Sequence, residues 1–142
     1  MKLHEPERYN GSCGLTAIAI LTGEPFDKIS RRILRFRRKY PRDYYGKPCP
    51  KSKMMTSTSE TFLSELKRCL AQKFKLGKFK KFGGKIKRFA EEHPTGIFFL
   101  NFPKHVAIFK DGMVYDNGGE AGPWSYRFAK DTIESFATIK SK

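Results

Sequence analysis

Residues 10–23 read Asn-Gly-Ser-Cys-Gly-Leu-Thr-Ala-Ile-Ala-Ile-Leu-Thr-Gly, and this stretch decides the fold. Its first three residues are typical of a turn followed by a helix N-cap, and the rest is apolar on every face apart from Thr16. The pattern predicts a short buried helix that begins near Cys13 and ends near Gly23.

Cys13 would lie on the first turn of this helix. Unpaired backbone N–H groups and the positive end of the helix dipole favour a thiolate there, which makes a cysteine nucleophilic at neutral pH. The alternative is that Cys13 is a small buried hydrophobic residue, since free cysteine is among the most buried residue types. The choice depends on whether another segment supplies a partner for the thiol.

Composition predicts one domain over residues 1–142. The chain is 39% hydrophobic and 14% aromatic, which supports a packed core and argues against disorder. Cys13, Cys49 and Cys69 are odd in number and far apart, so we expect neither a disulfide framework nor a metal site, and no cofactor. A reducing, cytoplasmic location fits best, because the N-terminus lacks a signal-peptide pattern and no stretch approaches membrane-spanning length.

The formal net charge of +15 is concentrated in two segments. Residues 28–53 contain eleven Lys or Arg and one Asp, and residues 67–88 contain ten Lys or Arg and no acid. Such density attracts nucleic acid, anionic membrane or acidic proteins, whereas the alternative is a solvated face that keeps the protein soluble. The candidate partner-binding residues are Arg31, Arg35, Arg38, Lys78, Lys80 and Lys81.

Three further helices are expected. The second opens at Pro25 and ends before Pro41, because apolar residues recur at helical spacing among arginines; these are Phe26, Ile29, Ile33 and Phe36. A long loop follows over residues 41–56. A capping box of Ser57 and Glu60 predicts a third helix over about 58–73, and residues 85–92 predict a short fourth one ending at His93.

Residues 74–84 form a basic, aromatic segment that is a loop or a strand. Phe74, Phe79 and Phe82 interleave with lysines there. Such rings could stack on nucleic-acid bases, but the favoured interpretation is a surface strand or loop whose aromatic rings face the core.

The C-terminal half predicts an antiparallel hairpin. Residues 97–102 and 105–110 are strands by composition, and Asp111-Gly112 is a strong turn signal before a strand over residues 113–116. A two-residue turn pairs Lys110 with Met113 and makes Asp116 the diagonal neighbour of His105. A three-residue turn would favour Asn117 instead. An imidazole oriented by a carboxylate is the geometry that a general base needs.

This arrangement resembles the papain-like cysteine peptidases. Cys13-Gly14 opens a helix, His105-Val-Ala-Ile begins a strand, and Asp116 follows on the next strand. The pattern is most similar to small bacterial and phage domains related to the bacteriocin-leader peptidases. The resemblance implies an α+β, papain-like fold, in which a helical N-terminal half packs on a C-terminal antiparallel β-sheet.

The resemblance also implies site roles. Cys13 would be the nucleophile, His105 the base and Asp116 its orienting partner. Papain-like enzymes usually carry a glutamine six residues before the cysteine as the oxyanion donor, but here that position is Glu7. A carboxylate cannot donate unless it is protonated, so Asn10 and the backbone N–H of Cys13 are the candidate donors.

Two functions follow from these expectations. The first is a thiol peptidase or related acyl-transfer hydrolase, encoded by a bacterium or phage, that acts on an acidic peptide or protein. The second is a basic binding module for nucleic acid or a host protein on a catalytically degraded papain-like fold. Neither requires a membrane partner.

Overall fold

The structure is a computed structural model and describes residues 1–7, 12–121 and 129–142. The helices in these ranges are α1 Cys13–Thr22, α2 Phe26–Lys39, α3 Leu63–Lys73 and α4 Ile86–Glu92, with a 3-10 turn at Lys51–Lys53. The strands are β1 Phe74–Leu76, β2 Lys80–Lys85, β3 Ile97–Phe102, β4 His105–Lys110, β5 Met113–Asp116, β6 Gly119–Ala121 and β7 Thr132–Ser141.

The strands form one antiparallel sheet in the order β1-β7-β3-β4-β5-β6, and β2 also pairs with β7. Helices and an antiparallel sheet make this an α+β fold, as the sequence predicts. The C-terminal strand β7 was not predicted, yet it lies inside the sheet between β1 and β3.

The sheet carries a hydrophobic cluster on each face, because side chains alternate along a strand. Phe99 and Ile108 pack with α1, α2 and α3 on one face. Phe98 and Phe109 pack on the other face with Phe89 of α4. The sheet is therefore sandwiched between the three longer helices and the short helix α4.

The first two helices have the predicted bounds. α1 begins at Cys13 and is closed by Gly23, whose φ of 74° is a left-handed conformation that glycine adopts without strain. α2 buries Ile29 and Ile33 fully. Both predictions are confirmed.

The predicted start of α3 is wrong. The helix begins at Leu63, and the Phe62 N–H donates to the Glu65 side chain at 3.0 Å. The Ser57 hydroxyl instead bonds to the Ser59 hydroxyl, and the Ser57 and Glu60 carbonyls accept hydrogen bonds from a buried arginine described below. These carbonyls are committed to tertiary contacts, so the chain stays irregular until residue 62.

The basic segment at 74–84 consists of β1, β2 and their connection. Phe79 packs edge-on against Phe99 in the core, and Phe82 packs in the same way against Phe89. The interpretation that these rings face the core is confirmed.

No helix in the described ranges is both long enough and apolar enough to span a membrane.

Candidate active site

Three predicted side chains meet where α1 approaches the β4–β5 hairpin. Cys13 is the first residue of α1, His105 is the first of β4, and Asp116 is the last of β5. The ends of these three elements therefore bring the three side chains together.

The hairpin register is the predicted one. Lys110 pairs with Met113 around a two-residue turn, and Asp111 and Gly112 have φ values of 48° and 87°, as a type I′ turn requires. His105 Nε2 lies 3.0 Å from Asp116 Oδ2. The prediction that Asp116 is the diagonal neighbour of His105, within hydrogen-bond distance of its ring, is therefore confirmed.

Asp116 is held firmly in place. It is 2% exposed, and its Oδ1 accepts the Gly118 N–H at 2.9 Å while Oδ2 is bonded to His105. A buried carboxylate with both oxygens bonded has little freedom to rotate. It therefore fixes the orientation of the imidazole.

The Cys13 thiol is set up to ionise. Burial by itself raises the pKa of Cys13, but the hydrogen bond with His105 and the backbone N–H groups of Val106 and Gly14 outweigh it. The net result is a pKa below the usual cysteine value. A thiolate is the nucleophilic form of cysteine, so Cys13 is activated by its surroundings.

The pKa of His105 shifts in the opposite direction, upward. Burial opposes the charged ring, but the hydrogen bonds with Asp116 and Cys13 raise the pKa of His105 to about 9. The two shifts favour the same pair of charged forms, a Cys13 thiolate beside a His105 imidazolium. This ion pair is the reactive form of a cysteine–histidine dyad.

The dyad opens into a cavity of about 530 Å³. Cys13 and His105 both line it, together with apolar side chains from α3 and polar residues from the loop that precedes it. The other lining residues are Ser12, Ser59, Glu60, Thr61, Leu63, Leu66, Asn101, Phe102, Lys104 and Val106. A cavity of this size accommodates a small ligand or part of a peptide.

Arg37 holds the loop that forms one wall of this cavity. Its guanidinium is 1% exposed and makes two bonds to the Glu65 carboxylate, at 2.6 and 2.9 Å. It also donates to the carbonyls of Met55, Ser57 and Glu60 at 3.2, 2.6 and 2.8 Å. One buried side chain thus ties α2 and α3 to residues 55–60.

Sequence reasoning missed Arg37 among the arginines of α2. A signal was present, since Arg37 continues the spacing of Ile29 and Ile33 by four residues and so lies on the buried face. Sequence reasoning also missed Glu65, the buried carboxylate that pairs with Arg37.

Gly14 allows the same loop to reach α1. A Cβ on Gly14 would lie 2.1 Å from Thr61 Oγ1 and 3.0 Å from Leu66 Cδ2. A side chain at this position would push the cavity wall away from Cys13, so glycine follows the cysteine for a steric reason.

Two side chains were considered for the oxyanion hole, Glu7 and Asn10. Glu7 lies away from the cavity, where its carboxylate accepts the Phe26 N–H at 2.5 Å at the start of α2. Its negative charge is favourable there because of the helix dipole. Asn10 lies outside the described residues.

The predicted partner-binding residues are not part of the cavity lining. Arg31, Arg35 and Arg38 of α2 are exposed, and so are Lys78, Lys80 and Lys81. Arg32 differs from these arginines, since it bonds to Glu24 at 2.6 Å and lowers the pKa of that carboxyl to about 2.

The other cysteines lie outside the cavity. Cys69 is fully buried, and this burial raises the pKa of its thiol to about 11. Within the described ranges, no group of three or more His, Cys, Asp or Glu side chains could hold a metal ion.

Comparisons with models of protein families, with curated proteins and with solved structures found no match to this chain.

Proposed function

We propose that the protein is a papain-like thiol hydrolase, a cysteine peptidase or a related acyl-transfer enzyme. The observation that carries this proposal is the position of Cys13 beside the hydrogen-bonded pair of His105 and Asp116, at the edge of a cavity. Activated cysteine, base and orienting carboxylate are the parts that nucleophilic acyl transfer requires.

The proposed reaction has two halves. The Cys13 thiolate attacks a carbonyl carbon and forms a C–S bond, while the His105 imidazolium gives its proton to the leaving amine or alcohol. Neutral His105 then takes a proton from water, which attacks the thioester and releases the acid and the thiolate. Asp116 orients the ring in both halves.

The oxyanion formed in each half needs donors. We assign the backbone N–H of Cys13 to this role, and Asn10 remains the proposed side-chain donor. Ser12 also lines the cavity, and its buried hydroxyl has no hydrogen-bond partner among the described residues.

A reducing compartment such as the cytoplasm would keep the Cys13 thiol in its active state.

An activated ester tests the proposal without knowledge of the natural substrate. Incubation with p-nitrophenyl acetate should place one acetyl group on Cys13, detected by peptide mass mapping, and should then release acetate with turnover. Turnover should fall as pH falls, because release of the acetate needs neutral His105 to take the proton of the attacking water.

Matched variants make this test decisive. Cys13→Ala should abolish acetylation, whereas Cys49→Ser should leave it unchanged. Acetylation of Cys49 or lysines alone in the wild-type protein would refute the proposed hydrolase.

A second candidate function is a binding module that uses the basic surface and not the dyad. The exposure of Arg31, Arg35, Arg38, Lys78, Lys80 and Lys81 favours it. In either case these residues are proposed to recruit an acidic protein or nucleic acid by electrostatic attraction, which salt screens.

A further inference from the structure

Three exposed tyrosines cluster in residues 40–47, a segment that we call the tyrosine loop. Tyr40, Tyr44 and Tyr45 are 48%, 62% and 87% exposed. Together with Met1 they are the large hydrophobic residues found exposed in the described ranges. A cluster of exposed aromatic rings in one short segment is typical of an interaction site.

The tyrosine loop is ordered by its own hydrogen bonds. Asp43 Oδ1 accepts the N–H groups of Tyr45 and Lys47 at 2.9 and 3.0 Å, and the Asp43 N–H donates to the Lys47 carbonyl at 2.9 Å. Arg42 Nη1 donates to the Gly46 carbonyl at 2.7 Å. The two outermost rings are therefore presented by a preformed turn, which lowers the entropic cost of binding.

The surroundings of the rings are strongly positive. Exposed cations lie at the end of the tyrosine loop and on both sides of it, at Arg38, Lys39, Lys47, Lys51 and Lys53. The Arg68 guanidinium also lies 4.4 Å from the Tyr40 ring centroid. The single acid in this stretch, Asp43, is engaged in the turn itself. A partner of opposite charge fits this surface.

The mixture of residues favours nucleic acid over protein. Lysine is depleted at protein–protein interfaces, whereas aromatic rings among lysines and arginines suit a single strand, whose bases stack while its phosphates pair. The phenylalanines of the other basic segment cannot serve in this way, because Phe79 and Phe82 pack into the core.

We propose that the tyrosine loop and its flanking cations bind single-stranded nucleic acid. Tyr44 and Tyr45 stack on unpaired bases, and the cations of residues 38–53 contact the phosphates. The proposal does not rest on Cys13, so the hydrolase proposal can fail while this one holds.

Fluorescence anisotropy with a short labelled oligonucleotide of mixed sequence tests the proposal, with separate single-stranded DNA and RNA arms to identify the preferred sugar. The double variant Tyr44→Ala/Tyr45→Ala should weaken binding of the preferred strand by about tenfold or more. Tyr44→Phe/Tyr45→Phe keeps the rings and should bind like the wild type. The same strand in a duplex should bind more weakly, because its bases are already stacked.

Charge variants separate stacking from electrostatics. The tyrosine variants remove no charge, so the salt dependence of binding should keep its slope. Lys47→Gln/Lys51→Gln should weaken binding and reduce the magnitude of that slope by about 1.4, because each phosphate of a single strand that a lysine neutralises contributes about 0.7. Thermal melting of each variant checks that the fold is intact.

Two results would overturn the proposal. One is equal affinity of the alanine variant and the wild type for both single strands. The other is a matching loss of affinity for polyglutamate in the alanine variant, which would identify an acidic protein surface as the occupant.

Discussion

At pH 6, iodoacetamide should alkylate Cys13 and leave Cys69 unmodified in the folded protein. Less than about 1% of an ordinary cysteine is thiolate at that pH, so reactivity there requires a lowered pKa. The surroundings lower the pKa of Cys13, whereas burial raises that of Cys69 to about 11. Peptide mapping after timed labelling measures both rates.

His105→Ala provides the matched test of the cause. This change removes the charge-assisted hydrogen bond to Cys13 and should slow its alkylation at pH 6 by about tenfold or more. Denatured protein, in which all three thiols react, gives the reference rate. Comparable labelling of Cys13 and Cys69 in the folded wild type would contradict the prediction.

The largest loss of stability should follow from Arg37→Met. This change leaves the Glu65 carboxylate buried without its cation and removes the donor to three loop carbonyls. Breaking a buried ion pair in this way lowers the free energy of unfolding by about 3–5 kcal/mol. The melting temperature should fall by about 10 °C or more.

Arg38→Met is the control, because the neighbouring side chain is exposed and its replacement should change stability by about 0.5 kcal/mol or less. The double change Arg37→Met/Glu65→Met should recover part of the stability, since no buried charge then remains. If Arg37→Met and Arg38→Met had the same melting temperature, the ion pair would have no structural role.

The sequence predicted the elements that carry the candidate site because each depends on local signals. The apolar run closed by Gly23 defines α1, and Asp111-Gly112 sets the turn and hence the side on which Asp116 lies. In a strand the side-chain period is two, so a correct turn length was enough to choose Asp116 over Asn117.

The features that sequence reasoning missed depend on tertiary contacts. Arg37 looks like its exposed neighbours, and only packing against α3 distinguishes it. The carbonyls that Arg37 binds also keep residues 57–61 out of α3, where a local capping pattern predicted helix. Strand β7 pairs with β3, whose residues are more than thirty positions earlier, so no local turn signal marks it.

The central claim is that Cys13 and His105 form a thiolate–imidazolium pair, and the most direct measurement is the ultraviolet absorbance of the thiolate across pH. The difference between the wild type and Cys13→Ser isolates the signal of this one thiol. We predict a midpoint below the ordinary cysteine value of about 8.5, which moves upward in His105→Ala. A midpoint in the ordinary range that His105→Ala leaves unchanged would contradict the claim.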